Sequence, residues 1–150
     1  MKSGLSHSCR GLLLATVLLA ACGQQVAHSM APVEITAGTT CSLDGMALAD
    51  YPGPKAQIHY ADQAAPDFFC DLVELFNTVL KPEQKRKVAA IYVQDMGKAD
   101  WDHPQGNWID ARQAYYVVGS SRTGSMGPTL GAFIEQQAAD KLPPATAARC

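Results

Sequence analysis

The stretch Cys41-Ser-Leu-Asp-Gly-Met-Ala-Leu-Ala-Asp-Tyr-Pro-Gly-Pro-Lys-Ala-Gln-Ile-His-Tyr60 decides how the chain is read. Met46, Leu48 and Asp50 alternate imperfectly into Tyr51, the pattern of a short strand. Pro52, Gly53 and Pro54 turn the chain. Residues 56–60 alternate again, with Ile58 and Tyr60 on one side, and predict a second strand. Outward from there, residues 62–67 form a loop, and Pro66 and Asp67 open a helix. Phe68, Phe69, Leu72, Val73, Leu75, Phe76, Val79 and Leu80 recur at helical spacing, so one helix face fills the core. Pro82 ends the helix, and residues 88–93 read as a buried strand. The order is strand, strand, helix, strand.

A polar loop with Gly97, Pro104 and Gly106 follows, and a similar order then begins again. Residues 108–120 are strand-like, 124–128 a turn, 129–130 a short strand and 132–141 a helix. The expected fold class is therefore α+β, as tandem ββαβ units. The expected divisions are a first unit at 41–95, a linker loop at 96–107 and a second unit at 108–150. After Leu142 the chain is Pro-broken and poor in apolar residues, so the second unit lacks an evident last strand. A truncated or altered C-terminus is expected, with Cys150 adventitious.

The N-terminal side reads as an address. Lys2 and Arg10 precede an apolar run from Leu12 to Ala21. A run of about 10 residues is too short for a membrane-spanning helix, which needs about 20, and suits a signal-peptide core. Leu19-Ala20-Ala21-Cys22 is similar to the bacterial lipoprotein signal. It implies a signal peptide over 1–21, a lipid anchor at Cys22 and a flexible tether over 22–40. Gly23 after the cysteine points to the outer membrane. Loss of Lys2 and Arg10 takes the formal charge from -2 to -4. That charge, with Lys85-Arg86-Lys87 as the sole basic cluster, argues against nucleic acid.

Removing Cys9 with the signal and Cys22 as anchor leaves Cys41, Cys70 and Cys150, an odd number for an oxidising compartment. Cys41 and Met46 are soft donors close in sequence, suited to cuprous copper. Zinc would want close Cys or His pairs, and the position three after Cys41 is Asp44. Further soft donors are Cys70, near a helix start whose dipole favours a thiolate, and Met126 in a glycine-flanked turn. The bland alternatives are packing: Cys70 among Phe68, Phe69 and Leu72, and Met46 in the core. The candidate metal set is Cys41, Met46, Cys70 and Met126, with Met96, His59 and Asp44 behind it. A Cys41–Cys70 disulfide is the rival; closing a loop of about 30 residues is worth about 3.6 kcal/mol in the chain-entropy model. No Ser-His-Asp grouping, paired-carboxylate signature or phosphate loop supports an enzyme.

Seven ordered motifs carry a family resemblance. They are Cys41-x-x-Asp-Gly-Met46, Asp50-Tyr-Pro-Gly-Pro-Lys55, Phe69-Cys70, Tyr92-Val-Gln-Asp-Met-Gly97, Trp108-Ile-Asp-Ala111, Tyr115-Tyr-Val-Val-Gly-Ser120 and Met126-Gly-Pro128. Together they resemble the NosL family across about residues 40–140. The resemblance implies a periplasmic Cu(I)-binding lipoprotein that delivers copper to apo-nitrous oxide reductase. It also implies the maturation components NosD, NosF and NosY as partners. Many members of that family carry a second cysteine where Asp44 stands, so here a second thiolate comes from elsewhere or is absent.

Overall fold

The computed structural model describes residues 28–144. The expected signal segment 1–21, the expected anchor Cys22 and Cys150 lie outside them. β1 (Ala56–Tyr60) and β2 (Asp67–Phe69) pair antiparallel, with Ala56 opposite Phe69 and Ile58 opposite Asp67. Then come α1 (Leu72–Val79), β3 (Val88–Gln94) and β4 (Trp108–Asp110). These make one antiparallel sheet in the order β2-β1-β3-β4. β1 is buried along its whole length, as a central strand beneath a helix must be. Ala56, Ile58, Tyr60, Phe69, Leu72, Leu75 and Val93 form the main core with Ala132.

The second part is smaller. β5 (Tyr115–Val117) pairs with β8 (Gly131–Phe133), and between them lies the hairpin of β6 (Thr123–Gly124) and β7 (Gly127–Pro128). α2 (Gln136–Ala139) follows, and Met96, Trp101, Phe133 and Ala139 pack together there. The class is α+β, and the first unit shows the strand-strand-helix-strand order.

Several expected elements fall elsewhere. The strand expected over 46–51 is a loop with a single 3-10 turn at Leu48–Asp50, and the first strand is β1. The helix does not open at Pro66. Asp67 to Phe69 pair with β1, and the cap is Asp71, whose carboxylate accepts from Val73 N at 2.7 Å. The expected strand over 108–120 is broken by a turn. β4 joins the first sheet and β5 the second, because Asp110 Oδ1 accepts from Arg112 N and Gln113 N bonds back to Asp110 O. The helix expected from Ala132 begins only at Gln136, after β8.

Residues 96–107 are not loose. Gly53 N donates to Trp101 O, and Trp101 Nε1 donates to Thr123 O, so this loop joins the Pro52–Pro54 turn to β6. Gly53 has φ +81, and a Cβ there would lie 2.7 Å from Gly124 Cα, so the turn requires glycine twice over. After α2 the chain returns beside β5's end: Ser120 bridges Pro144 and Ser121 N donates to Pro143 O. Part of the 22–40 stretch is also held. Gln57 bonds both Val33 N (2.8 Å) and Val33 O (3.0 Å), and Tyr92 donates to Met30 O.

Candidate metal centre

The loop carrying Cys41 and Met46 is closed by its own backbone. Thr40 bridges Ala47, Cys41 N donates to Met46 O at 2.8 Å, and Gly45 N returns to Cys41 O. Gly45 sits at φ +77, which a side chain rarely adopts. Asp44 Oδ1 accepts from Met46 N, an Asx turn that fixes the same bend. The spacing of Cys41 and Met46 is thus the span of one tight turn. Ser42 fastens it to β2: Ser42 N donates to Phe68 O, and Phe68 N donates to Ser42 Oγ.

This fastening places Cys41 against Cys70, which lies between β2 and the cap residue Asp71. Both thiols are buried and unbridged, at 3% and 0% exposure. Glu74, on the first turn of α1, accepts from Cys70 Sγ at 3.1 Å and from Cys41 Sγ at 3.5 Å. Donor atoms of Cys41, Asp44, Cys70 and Glu74 all lie within 4.8 Å of one another. Leu48, Ile35, Met46 and Phe68 pack around the two sulfurs.

Burial pushes both thiols above their ordinary value. For Cys41, backbone N–H groups near Leu43, Asp44 and Cys70 pull partly the other way. For Cys70, where the sequence suggests a dipole-stabilised thiolate, the shift is upward: burial is the largest cause, the Ser125 hydroxyl opposes it, and the Glu74 carboxylate adds to it.

The other predicted donors divide. Met126 is 61% exposed at the tip of the β6–β7 hairpin. That tip is tied to the cluster, since the neighbouring Ser125 Oγ donates to Cys70 O at 2.7 Å. Met96 belongs to a separate apolar cluster with Trp101, Phe133 and Ala139. His59 is buried on β1, with Nε2 2.9 Å from Gln57 Oε1 and its ring edge-on to Tyr92. Burial lowers its pKa. Neither Met96 nor His59 shares the Cys41–Cys70 cluster. His103 is an exposed loop residue whose N–H donates to Asp100 Oδ1.

Two residues escaped the sequence reading. Glu74 had a signal: Asp71-Leu-Val-Glu74 has the spacing of a helix capping box, in which the acid three after the cap turns back toward it. Here that acid meets the thiols instead. Lys55 follows the Pro52–Pro54 turn and carries no sequence signal of a site. It is wholly buried, and its Nζ donates to Pro52 O (2.8 Å) and Cys70 O (3.2 Å).

Two thiols, with Met46 packed on the cluster that holds them, offer a soft, low-coordinate set. It suits a monovalent soft ion and is poor for calcium or magnesium, which need many oxygens. A structural zinc site would need four firm Cys or His ligands, and no histidine joins this cluster. The NosL family model matches residues 32–146. The chain belongs to the NosL family. It is 40% identical over 138 residues to the copper-binding lipoprotein NosL of Stutzerimonas stutzeri, covering 88% of this chain and 72% of that protein. It is 45% identical over 116 residues to the copper-binding lipoprotein NosL of Achromobacter cycloclastes, covering 75% of this chain and 60% of that protein. The crystal structure of the copper chaperone NosL from Shewanella denitrificans shares the fold. Its TM-score is 0.68 at 37% identity, over 73% of this chain and 82% of that one. As a NosL-family chain, this protein places the Cys-x-x-Asp-Gly-Met motif and Phe69-Cys70 side by side.

Proposed function

We propose that this protein is a Cu(I) carrier, not an enzyme, that receives copper at Cys41 and Cys70 and passes it on for assembly of the nitrous oxide reductase copper centre. The observation that carries this reading is the convergence of two buried, unbridged thiols on one carboxylate, with Met46 packed against them. Cuprous copper is the cargo such donors favour. Met126, exposed on the hairpin tied to Cys70, is the thioether able to reach the ion from the solvent side. Asp44 and Glu74 are oxygen donors at the rim, where Glu74 holds the thiols until metal displaces their protons. Few soft ligands at a partly open rim allow release by ligand exchange to a partner. Apo-nitrous oxide reductase is the recipient in this reading, with NosD, NosF and NosY in the same assembly.

The location follows the address in the sequence. Cleavage before Cys22 and acylation there would hold the protein on the periplasmic side of a membrane, the outer membrane in this reading. Among the described residues no helix is long and apolar enough to cross a membrane.

Anaerobic titration of reduced protein with Cu(I) against a chelator tests the carrier role. One Cu(I) per chain is expected in the wild type. Cys41→Ser and Cys70→Ser should weaken it most, and Met46→Leu and Met126→Leu less. Unchanged affinity in both serine variants would falsify the site. Copper appearing in purified apo-nitrous oxide reductase after mixing with loaded protein tests delivery. Loss of membrane association in Cys22→Ser tests the anchor.

A further inference from the structure

Lys55 is a cation placed where cations are expensive. The side chain is wholly buried, and both observed partners of its ammonium are backbone carbonyls. Among the described residues no carboxylate lies within ion-pair distance of it. Burial draws its pKa down to about 8, although the Cys70, Asp71, Cys41 and Glu74 side chains act to raise it. Asp71 is itself buried, and its Oδ2 has no hydrogen-bond partner among the described residues. Apolar packing at this place would need no charge. The ammonium donates to the Cys70 carbonyl oxygen, which also accepts from the hydroxyl of Ser125.

Loading supplies the missing reason. Two thiols and a cuprous ion give a bis-thiolate complex and two protons: 2 Cys-SH + Cu⁺ → [Cu(S-Cys)₂]⁻ + 2 H⁺. Both sulfur–hydrogen bonds break, two copper–sulfur bonds form, no electron moves, and both protons go to solvent. The cluster therefore gains one negative charge in a desolvated place, on top of the Glu74 carboxylate. Uncompensated, that charge would oppose binding.

We propose that Lys55 is a built-in counter-cation that balances the negative charge of the bis-thiolate complex and so sets the affinity of the site for a monovalent soft ion. It acts through the field at the sulfurs and is a positioning residue, not a ligand. This rests on the carrier reading above, and its test separates the two.

The test uses reduced mature protein as wild type, Lys55→Met and Lys55→Gln. Met keeps the length of the stem without charge; Gln keeps a donor for the carbonyls. Three quantities are measured: Cu(I) affinity by chelator competition, thermal stability of the metal-free protein, and protons released per copper in weak buffer. Both variants should bind Cu(I) roughly 10- to 100-fold more weakly, while the metal-free Lys55→Met protein melts at or above the wild-type temperature. The opposite signs separate a charge role from a structural one. The wild type should release both thiol protons. Equal Cu(I) affinity in the variants overturns the proposal. So does a parallel loss of affinity and metal-free stability, failure of both variants to fold, or release of only one proton by the wild type. If the wild type binds no Cu(I), the carrier reading fails first and this proposal with it.

Discussion

Gly124→Ala should destabilise the end of the fold that holds the Cys41–Cys70 cluster, although Gly124 belongs to the β6 strand and not to the cluster. A Cβ on Gly124 would collide with Asp71 Oδ2 and lie 3.1 Å from both Cβ and Cγ2 of Thr129. The backbone there is not left-handed, so the penalty is steric and falls on Asp71. That carboxylate has two jobs. It caps α1 through Val73 N at 2.7 Å, and it accepts Thr129 Oγ1 at 2.9 Å. Losing an N-cap costs about 1 kcal/mol. Losing a hydrogen bond to a buried charge costs about 1.5–3 kcal/mol. Displacing Asp71 should therefore cost about 3 kcal/mol, or a fall in Tm of about 6–12 °C for a chain of this size. Cu(I) affinity should fall with it, because the same helix turn presents Glu74 to the thiols. The assay is urea unfolding of reduced, metal-free protein in a double-mutant cycle with Asp71→Ala. In the Asp71→Ala background the glycine substitution should cost much less, since the carboxylate it strikes is gone. A cost for Gly124→Ala below about 0.5 kcal/mol, the ordinary scatter of additivity, would refute the reasoning. An equal cost in both backgrounds would refute it too.

Three further outcomes follow from the same geometry. Burial raises both thiols, so Cu(I) must displace protons throughout the neutral range. Apparent affinity should therefore rise with pH, by up to about tenfold per pH unit for each thiol displaced, and a flat profile between pH 6 and 8 would count against thiol ligation. The Cys41 and Cys70 sulfurs lie within 4.8 Å, so mild oxidation should remove both free thiols and Cu(I) binding together, with recovery on reduction; binding that survives oxidation would exclude a two-thiol site. Gln57→Ala removes the paired bonds to Val33, so limited proteolysis should cut residues 30–36 faster; an unchanged rate would mean that Tyr92 and the packing of Ile35 suffice to hold them.

The sheet and its helix were legible where local pattern and tertiary role agree. Ala56–Tyr60 alternates between two strong turns and is a strand; Val88–Gln94 is an apolar, β-branched run and is another. The helix repeat holds from Leu72 to Val79. Periodicity failed at Asp67–Phe69, because a short apolar run preceding a helix fits its repeat as well as it fits a strand. Pairing with β1 decided the matter, and pairing is a non-local fact. The break between β4 and β5 lay in an Asx turn at Asp110, a polar residue inside an otherwise strand-like stretch. At the site, Cys41 and Met46 were visible because one turn holds both. Their meeting with Cys70 depends on Ser42 and Phe68, which no spacing announces. Glu74 hid in a capping pattern. Lys55 hid because a lysine after a Pro-Gly-Pro turn is ordinarily a solvated one.

The Ser125–Cys70 bond joins residues 55 positions apart in the chain, and Cys41 meets Glu74 across 33. No local piece of the sequence holds the complete cluster. A nascent or extended chain therefore carries its sulfurs as isolated, weak donors. They converge only when the hairpin, the helix cap and the Cys-Met turn have docked, which is late for contacts of such separation. Assembly thus has a built-in order: the four-residue cluster exists only in molecules that have already finished folding.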